Sequence, residues 1–263
     1  MSYNISILVM YALTPCHAGS GSALGVVDLP IQRERHTNYP TIYSSSMKGA
    51  FRANFERSKG EELTKSIFGE SNSNDSYAGA VSISDAKILA FPMRSSVAPF
   101  VWITCPTVLD RLNRDLRLAG KEKIEYKEQS KDNNEEAIAL KGDLQGDILI
   151  EDYQVSVKET CEIKSELFAQ TTRLLLVSDK VFDYGVSNCT QINAQIAIKQ
   201  ESGSTEVGTL RYQEELPSDT LMYCTIAYKD SKNKEQIQEA VSKYIQIGGS
   251  ETLGRGVFEL EWK

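Results

Sequence analysis

Between Thr14 and Arg52 the chain reads TPCHAGSGSALGVVDLPIQRERHTNYPTIYSSSMKGAFR, a span rich in side chains that can do chemistry at a phosphate. Asp28 stands between Val26-Val27 and Leu29-Pro30-Ile31. A carboxylate among apolar neighbours is costly unless it is paired. One reading pairs it with Arg33 or Arg35. The other sets it beside a scissile phosphate, as a divalent-ion ligand or a proton-transfer group. His17 and His36 are the only histidines. His17 follows the first expected strand and is a candidate acid or base, since imidazole titrates near neutrality.

The run Ser44-Ser45-Ser46-Met47-Lys48, with Arg52 beyond it, opens an expected helix. A helix start has free N–H groups and a partial positive charge. A lysine in that turn is electrostatically misplaced unless an anion sits there. Ser45, Ser46, Lys48 and Arg52 therefore read as a phosphate grip, with Arg52 one turn on from Lys48. A capped surface helix with solvated charges is the plainer alternative. Gly19-Ser20-Gly21-Ser22 would let another backbone approach closely, but it fits neither the P-loop nor the dinucleotide-binding fingerprint. The last such element is Gly248-Gly249-Ser250-Glu251-Thr252-Leu253-Gly254-Arg255-Gly256. It has more glycine than a helix stop needs. Gly248, Gly249, Gly254, Arg255 and Gly256 read as contacts to a nucleic-acid backbone; a simple helix-to-strand connector is the alternative.

The elements that must position these residues follow from periodicity. Ser6 to Thr14 is expected as a buried first strand ending at Pro15, followed by a long ordered loop to about Tyr43. The serines 44–46 are expected as N-caps of a helix running to about Lys59, with Met47, Ala50, Phe51 and Phe55 on one face. Strands are expected over Ala80–Phe91 and Phe100–Cys105. A helix opens at a capping box, Thr107-x-x-Asp110. About 120–147 is strongly polar and is expected as a mobile insertion or exposed loop, its charge run most simply solvated surface. Beyond it come strands near 148–157 and 173–177, with a helix near 164–169 between them. Alternating Ile192, Ala194, Ile196 and Ile198, then a turn at 201–204, predict a projecting hairpin over about 190–213. A strand over 221–228 follows. A helix striped by Ile237, Ala240, Val241, Tyr244 and Ile245 is expected to stop at Gly248-Gly249, before a last strand over 257–262. This order suggests an α+β sandwich of the ferredoxin-like or RRM-like kind, as one domain over 1–263.

Composition narrows the function classes. The net charge of -7 weighs against a nucleic-acid protein, yet from Asp28 to Lys59 six bases face three acids. A basic patch on an acidic body remains consistent with this. The five cysteines are widely spaced with no C-x-x-C, so neither a disulfide framework nor a zinc site is indicated, and a cytoplasmic protein with reduced thiols is expected. No basic residue precedes Arg33 to make a signal peptide, and the apolar run Ile7–Leu13 is too short to span a bilayer. No Ser/His/Asp arrangement is present.

The pieces TPCHAGSGSALGVVDLPIQRER, YPTIYSSSMKGAFR, FVWITCPTVLDRL and YIQIGGSETLGRGVFEL together resemble the RAMP superfamily of CRISPR-associated proteins. GVVDLPIQRE points to the repeated backbone subunit of type III-B effector complexes. The resemblance implies an RRM-like palm with inserted loops and a thumb-like β-hairpin. It implies copies stacked along a guide crRNA beside other effector subunits, with paired single-stranded target RNA cut at regular intervals. By the same resemblance Asp28 is the cleavage residue, His17 an associated residue, Lys48 a crRNA contact and Gly248–Gly256 a hold on the guide backbone. Mg²⁺ or Mn²⁺ is the implied cofactor, with Asp28 as its ligand. A non-catalytic crRNA-binding subunit and a precursor-processing enzyme are the other functions weighed.

Overall fold

The first strand is apolar on both faces, which a strand tolerates only at the centre of a covered sheet. In the computed structural model, which describes residues 4–71, 76–127 and 133–263, that is its place. Strand β1 (Asn4–Ala12) leads through a long connection to β2 (Thr41–Ile42), α1 (Ser44–Lys59), α2 (Glu61–Phe68), β3 (Gly69–Ser71), β4 (Ser76–Ala78) and β5 (Val81–Ile83). Next come β6 (Ala86–Arg94), β7 (Phe100–Thr104), α3 (Pro106–Leu118), β8 (Glu136–Lys141), β9 (Gly146–Ile150), β10 (Tyr153–Thr160) and β11 (Leu174–Leu176). The chain closes with α4 (Asp179–Asn188), β12 (Gln191–Gln195), β13 (Arg211–Glu215), β14 (Leu221–Tyr228), α5 (Ser231–Ala240), β15 (Tyr244–Gln246) and β16 (Val257–Trp262).

The result is a sheet-dominated α+β fold. The main sheet runs β15-β16-β1-β14-β6-β7-β11-β8-β10-β9. β1 pairs antiparallel with both β14 and β16, and β14 pairs antiparallel with β6. Helix α1 buries Met47, Phe51 and Phe55 and packs beside α5. The Phe51 ring meets Trp262 of β16 edge-on at 6.3 Å. β12 and β13 form a separate antiparallel hairpin. No helix among the described residues is long and apolar enough to cross a membrane.

Several expectations are corrected. The serines do not cap α1: the N-cap is Tyr43, and the first free N–H, that of Ser44, is taken by Asp85 Oδ1 at 2.6 Å. Thr107 forms no capping box with Asp110. Pro106 starts α3, and Thr107 gives both its N–H and its hydroxyl to Asp179. Helix α5 ends at Ala240, and Tyr244 and Ile245 belong to strand β15, whose alternation the helical stripe had absorbed. Gly248 therefore turns the chain after a strand, not after a helix. The polar insertion is narrower than 120–147. Residues 128–132 lie outside the described residues, and Ala137–Leu140 of β8 are buried between β10 and β11.

The base of the long connection before α1 is fastened by main-chain hydrogen bonds. Ser20 N–H donates to Pro30 O, Gln32 N–H to Ala18 O and Thr41 N–H to Gln32 O, so 18–20, 30–32 and 40–41 run side by side. Its far side is tied to α3, because Arg111 donates through both Nη atoms to Glu34, which also accepts from Thr37 Oγ1. Burial alone pushes the Glu34 carboxyl up, but the bonds from Arg111 and Thr37 outweigh it and hold it below its usual range. A depressed carboxyl stabilises the fold above its unfolded pKa of about 4.3, and that contribution is lost as pH falls through the lower folded value. Arg111→Ala should cost about 3 kcal/mol at neutral pH, measured by urea unfolding. It should also move the acid-unfolding midpoint to higher pH.

Candidate nucleic-acid interface

Three consecutive polar residues of β13, Gln213, Glu214 and Glu215, are buried, and they organise the loops around them. Glu214 lies at the centre. Its Oε1 accepts from Arg33 Nη2 at 2.5 Å and from Thr190 Oγ1 at 2.8 Å, and its Oε2 accepts from Ile31 N–H at 3.0 Å. Its main-chain carbonyl faces His17 Nδ1 at 2.7 Å. A carbonyl can only accept, so Nδ1 carries the proton and Nε2 of the neutral ring is left as the basic nitrogen.

Asp28 reaches the same strand. Its Oδ2 accepts from Tyr212 N–H at 2.8 Å, and the next residue, Leu29, runs parallel to β13: Leu29 N–H donates to Tyr212 O and Leu29 O accepts from Glu214 N–H. The carboxylate therefore pairs with neither arginine. Arg33 belongs to Glu214, and Arg35 is exposed. His17 and Asp28 hang on main-chain atoms of Glu214 and Tyr212, two residues or about 7 Å apart along one strand. Beyond Asp28 the loop tip is apolar and open, with Leu24 and Val26 fully exposed.

The glycine-rich terminal loop closes over His17. Gly249 N–H donates to His17 O at 2.9 Å and Gly256 N–H to Pro15 O at 2.8 Å. Gly248 has a φ of 94°, and a Cβ there would stand 2.6 Å from His17 O, so no other residue fits. Gly254 is also left-handed, at the exposed end of the loop. Arg255 does not project freely: its Nε donates to Glu215 Oε1 at 3.1 Å, joining this loop to the other face of β13.

The helix start is joined to this assembly through Gln32 and through Tyr43, whose hydroxyl donates to Arg33 O at 3.3 Å. Buried Gln32 donates from Nε2 to Gly19 O and to Ser46 Oγ, and its Oε1 accepts from Tyr43 N–H at 2.6 Å. Ser45, Lys48 and Arg52 lie apart, along a cleft of about 500 Å³ between α1 and the β3–β4 hairpin. Lys48 makes no ion pair among the described residues. The sequence reading therefore divides into a loop cluster of His17, Asp28, Gly248, Gly249, Gly256 and Arg255, and a helix cluster of Ser45, Lys48 and Arg52, with Ser46 at the bridge.

Tyr212, Glu214, Glu215 and Gln32 were missed by sequence reasoning. The signal for the glutamates was present: in a strand one of two neighbours points inward, and a charge buried there needs a partner among the arginines. Among the described residues, no group of three His, Cys, Asp or Glu side chains could hold a metal ion. Asp28 offers a single carboxylate.

The chain belongs to the RAMP superfamily, which matches residues 9–259. It is 37% identical to the CRISPR system Cmr endoribonuclease Cmr4 of Pyrococcus furiosus, over 97% of this chain and 94% of that protein. It is 27% identical to the CRISPR system CMR subunit Cmr4 of Saccharolobus solfataricus, over 95% and 94%. Among solved structures it resembles the type III-B Cmr-beta bound to cognate target RNA, with a TM-score of 0.82 and 25% identity over 98% of this chain and 96% of that one. Oligomeric Cmr4 of P. furiosus matches with a TM-score of 0.75 and 30% identity, over 100% and 98%.

Glu214→Ala should leave Arg33 charged and half-buried and the Ile31 N–H without its acceptor. The expected loss is about 3 kcal/mol in urea unfolding, with proteolytic cleavage appearing between residues 19 and 33.

Proposed function

We propose that this chain is a repeated backbone subunit of a type III-B CRISPR effector complex, binding guide crRNA and cutting the target RNA paired with it. The observation that carries this reading is β13, which holds Asp28 and His17 on one rigid support at the root of the β12–β13 hairpin. The kinship with Cmr4 over nearly the whole chain supports it. Its partners are then crRNA, single-stranded target RNA, further copies of itself and the other effector subunits, in the cytoplasm. The strand order β16-β1-β14-β6, with α1 and α5 following β1 and β14, supports reading the main sheet as a ferredoxin-like palm and the hairpin as a thumb.

Cutting RNA needs no protein nucleophile, because the 2′-OH beside the scissile phosphate can attack it. The protein must hold the sugar and phosphate in line, move protons and stabilise charge. In this reading His17 Nε2 moves the proton, kept in the right tautomer by the Glu214 carbonyl. Asp28 keeps Oδ1 free of protein partners among the described residues while Tyr212 N–H fixes its orientation. A Mg²⁺ or Mn²⁺ ion takes few protein ligands and completes its shell with water and phosphate oxygens, so Asp28 fits as a single ligand. When bound, such an ion would supply charge stabilisation at the phosphate. The guide supplies specificity by pairing, and the protein reads shape and backbone.

In a reconstituted complex, Asp28→Ala should assemble and bind target normally and lose cutting by at least a hundredfold in single-turnover assays. Undiminished cutting would leave the chain as a non-catalytic crRNA-binding subunit. The free chain should leave repeat RNA uncut, which separates it from a precursor-processing enzyme. Lys48→Ala should weaken guide loading and make log Kd less steep against log salt by about 0.7, the signature of one lost single-strand phosphate contact.

A further inference from the structure

We propose that the cleft between the start of α1 and the β3–β4 hairpin seats one nucleotide of single-stranded RNA, its phosphate on Lys48 and its base stacked on Tyr77. The inference rests on the guide-binding reading above and extends it from a backbone grip to a base platform. The cleft of about 500 Å³ falls within the range of small-ligand sites. One wall carries Ser45, Lys48, Gly49 and Arg52, and the other carries Tyr77.

Four features of this cleft point to such a ligand. Lys48 is half-buried and makes no ion pair among the described residues. Glu70, which also lines the cleft, has its carboxylate on Lys65 at 3.2 Å. Tyr77 keeps 46% of its surface exposed. An aromatic face beside a cation suits a base joined to a phosphate, since any base can stack on it. The fourth feature is Gly49. Glycine is among the poorest helix formers, yet here it sits inside α1, and a Cβ on it would meet nothing within 4 Å. No packing within the protein requires it. A bare helix surface next to Lys48 is what a closely approaching sugar-phosphate requires.

The platform is also held still. Arg52 Nη1 donates to Gly69 O at 2.7 Å, fastening the hairpin to α1. A Cβ on Gly69 would stand 2.7 Å from Tyr77 O, and one on Gly79 would collide with Ile67 O. The tyrosine is thus built onto a strand pressed close to α2, and stacking on it has little ordering cost.

The test uses fluorescence anisotropy of the full chain with two probes, a 12-mer oligoadenylate and an abasic ribose-phosphate chain of the same length. Tyr77→Ala should weaken oligoadenylate binding about tenfold and leave the abasic probe unchanged. Tyr77→Phe should bind both as the parent does. Equal weakening on both probes would overturn the stacking, because a merely structural role does not distinguish bases. Lys48→Ala, run alongside, should weaken both probes. If it does while Tyr77→Ala changes neither, the platform fails and the phosphate grip stands; if neither substitution acts, both readings fail.

Discussion

The buried contact between Arg33 and Glu214 sets the positions of nearly everything else at the site. An ion pair out of water contributes little net stability, because desolvation offsets most of the attraction. Removing one partner is costly, however, and that asymmetry fixes geometry. Glu214 takes Arg33, Thr190 and the Ile31 amide on its side chain, and its carbonyl takes His17. Arg33 in turn donates to Asn38 O and Val186 O, joining the connection before α1 to helix α4. One carboxylate thus holds the Ile31–Arg33 stretch in place, while the main-chain carbonyl of the same residue leaves Nε2 of His17 as the basic nitrogen.

The net charge of the chain looks different once these pairs are known. Of the six bases between Asp28 and Lys59, Arg33 is matched by Glu214 and Lys59 by Glu239, while Arg52 is turned onto the Gly69 carbonyl. Arg255 of the terminal loop is matched by Glu215. Counting residues therefore overstates the positive surface. What remains is a few well-placed cations, Lys48 foremost. Polyanion binding by such a chain depends on repetition across copies more than on the charge of one.

Much of the frame was legible because it follows one period at a time. The buried strands β1, β14 and β16 and the striped helix α1 announce themselves in apolar spacing, and the hairpin in clean alternation. Elements that switch period were not legible. Val241, Tyr244 and Ile245 satisfy a helical stripe, but the chain leaves the helix at Ala240 and uses Ile245 in a strand. Helix α4 was not expected; it carries Gly185 in its last turns, where a Cβ would stand 2.5 Å from Met93 Sδ. Of the site, His17, Asp28 and Lys48 could be marked from residue type. Their supports could not: Gln32, Tyr212 and Glu214 act through contacts spanning up to 197 positions, and those to His17 and Asp28 use main-chain atoms that any sequence possesses.

Strand β13 has one edge on β12 and the other on Leu29, with Asp28 and His17 fastened to its backbone. A strand held on both edges cannot slide without taking its neighbours with it. The hairpin ladder runs only from Gln191–Gln195 to Arg211–Glu215, and the isolated bridge between Ile198 and Thr205 lies beyond it. The regular part of the hairpin is therefore also the part to which the Asp28 carboxylate is tied.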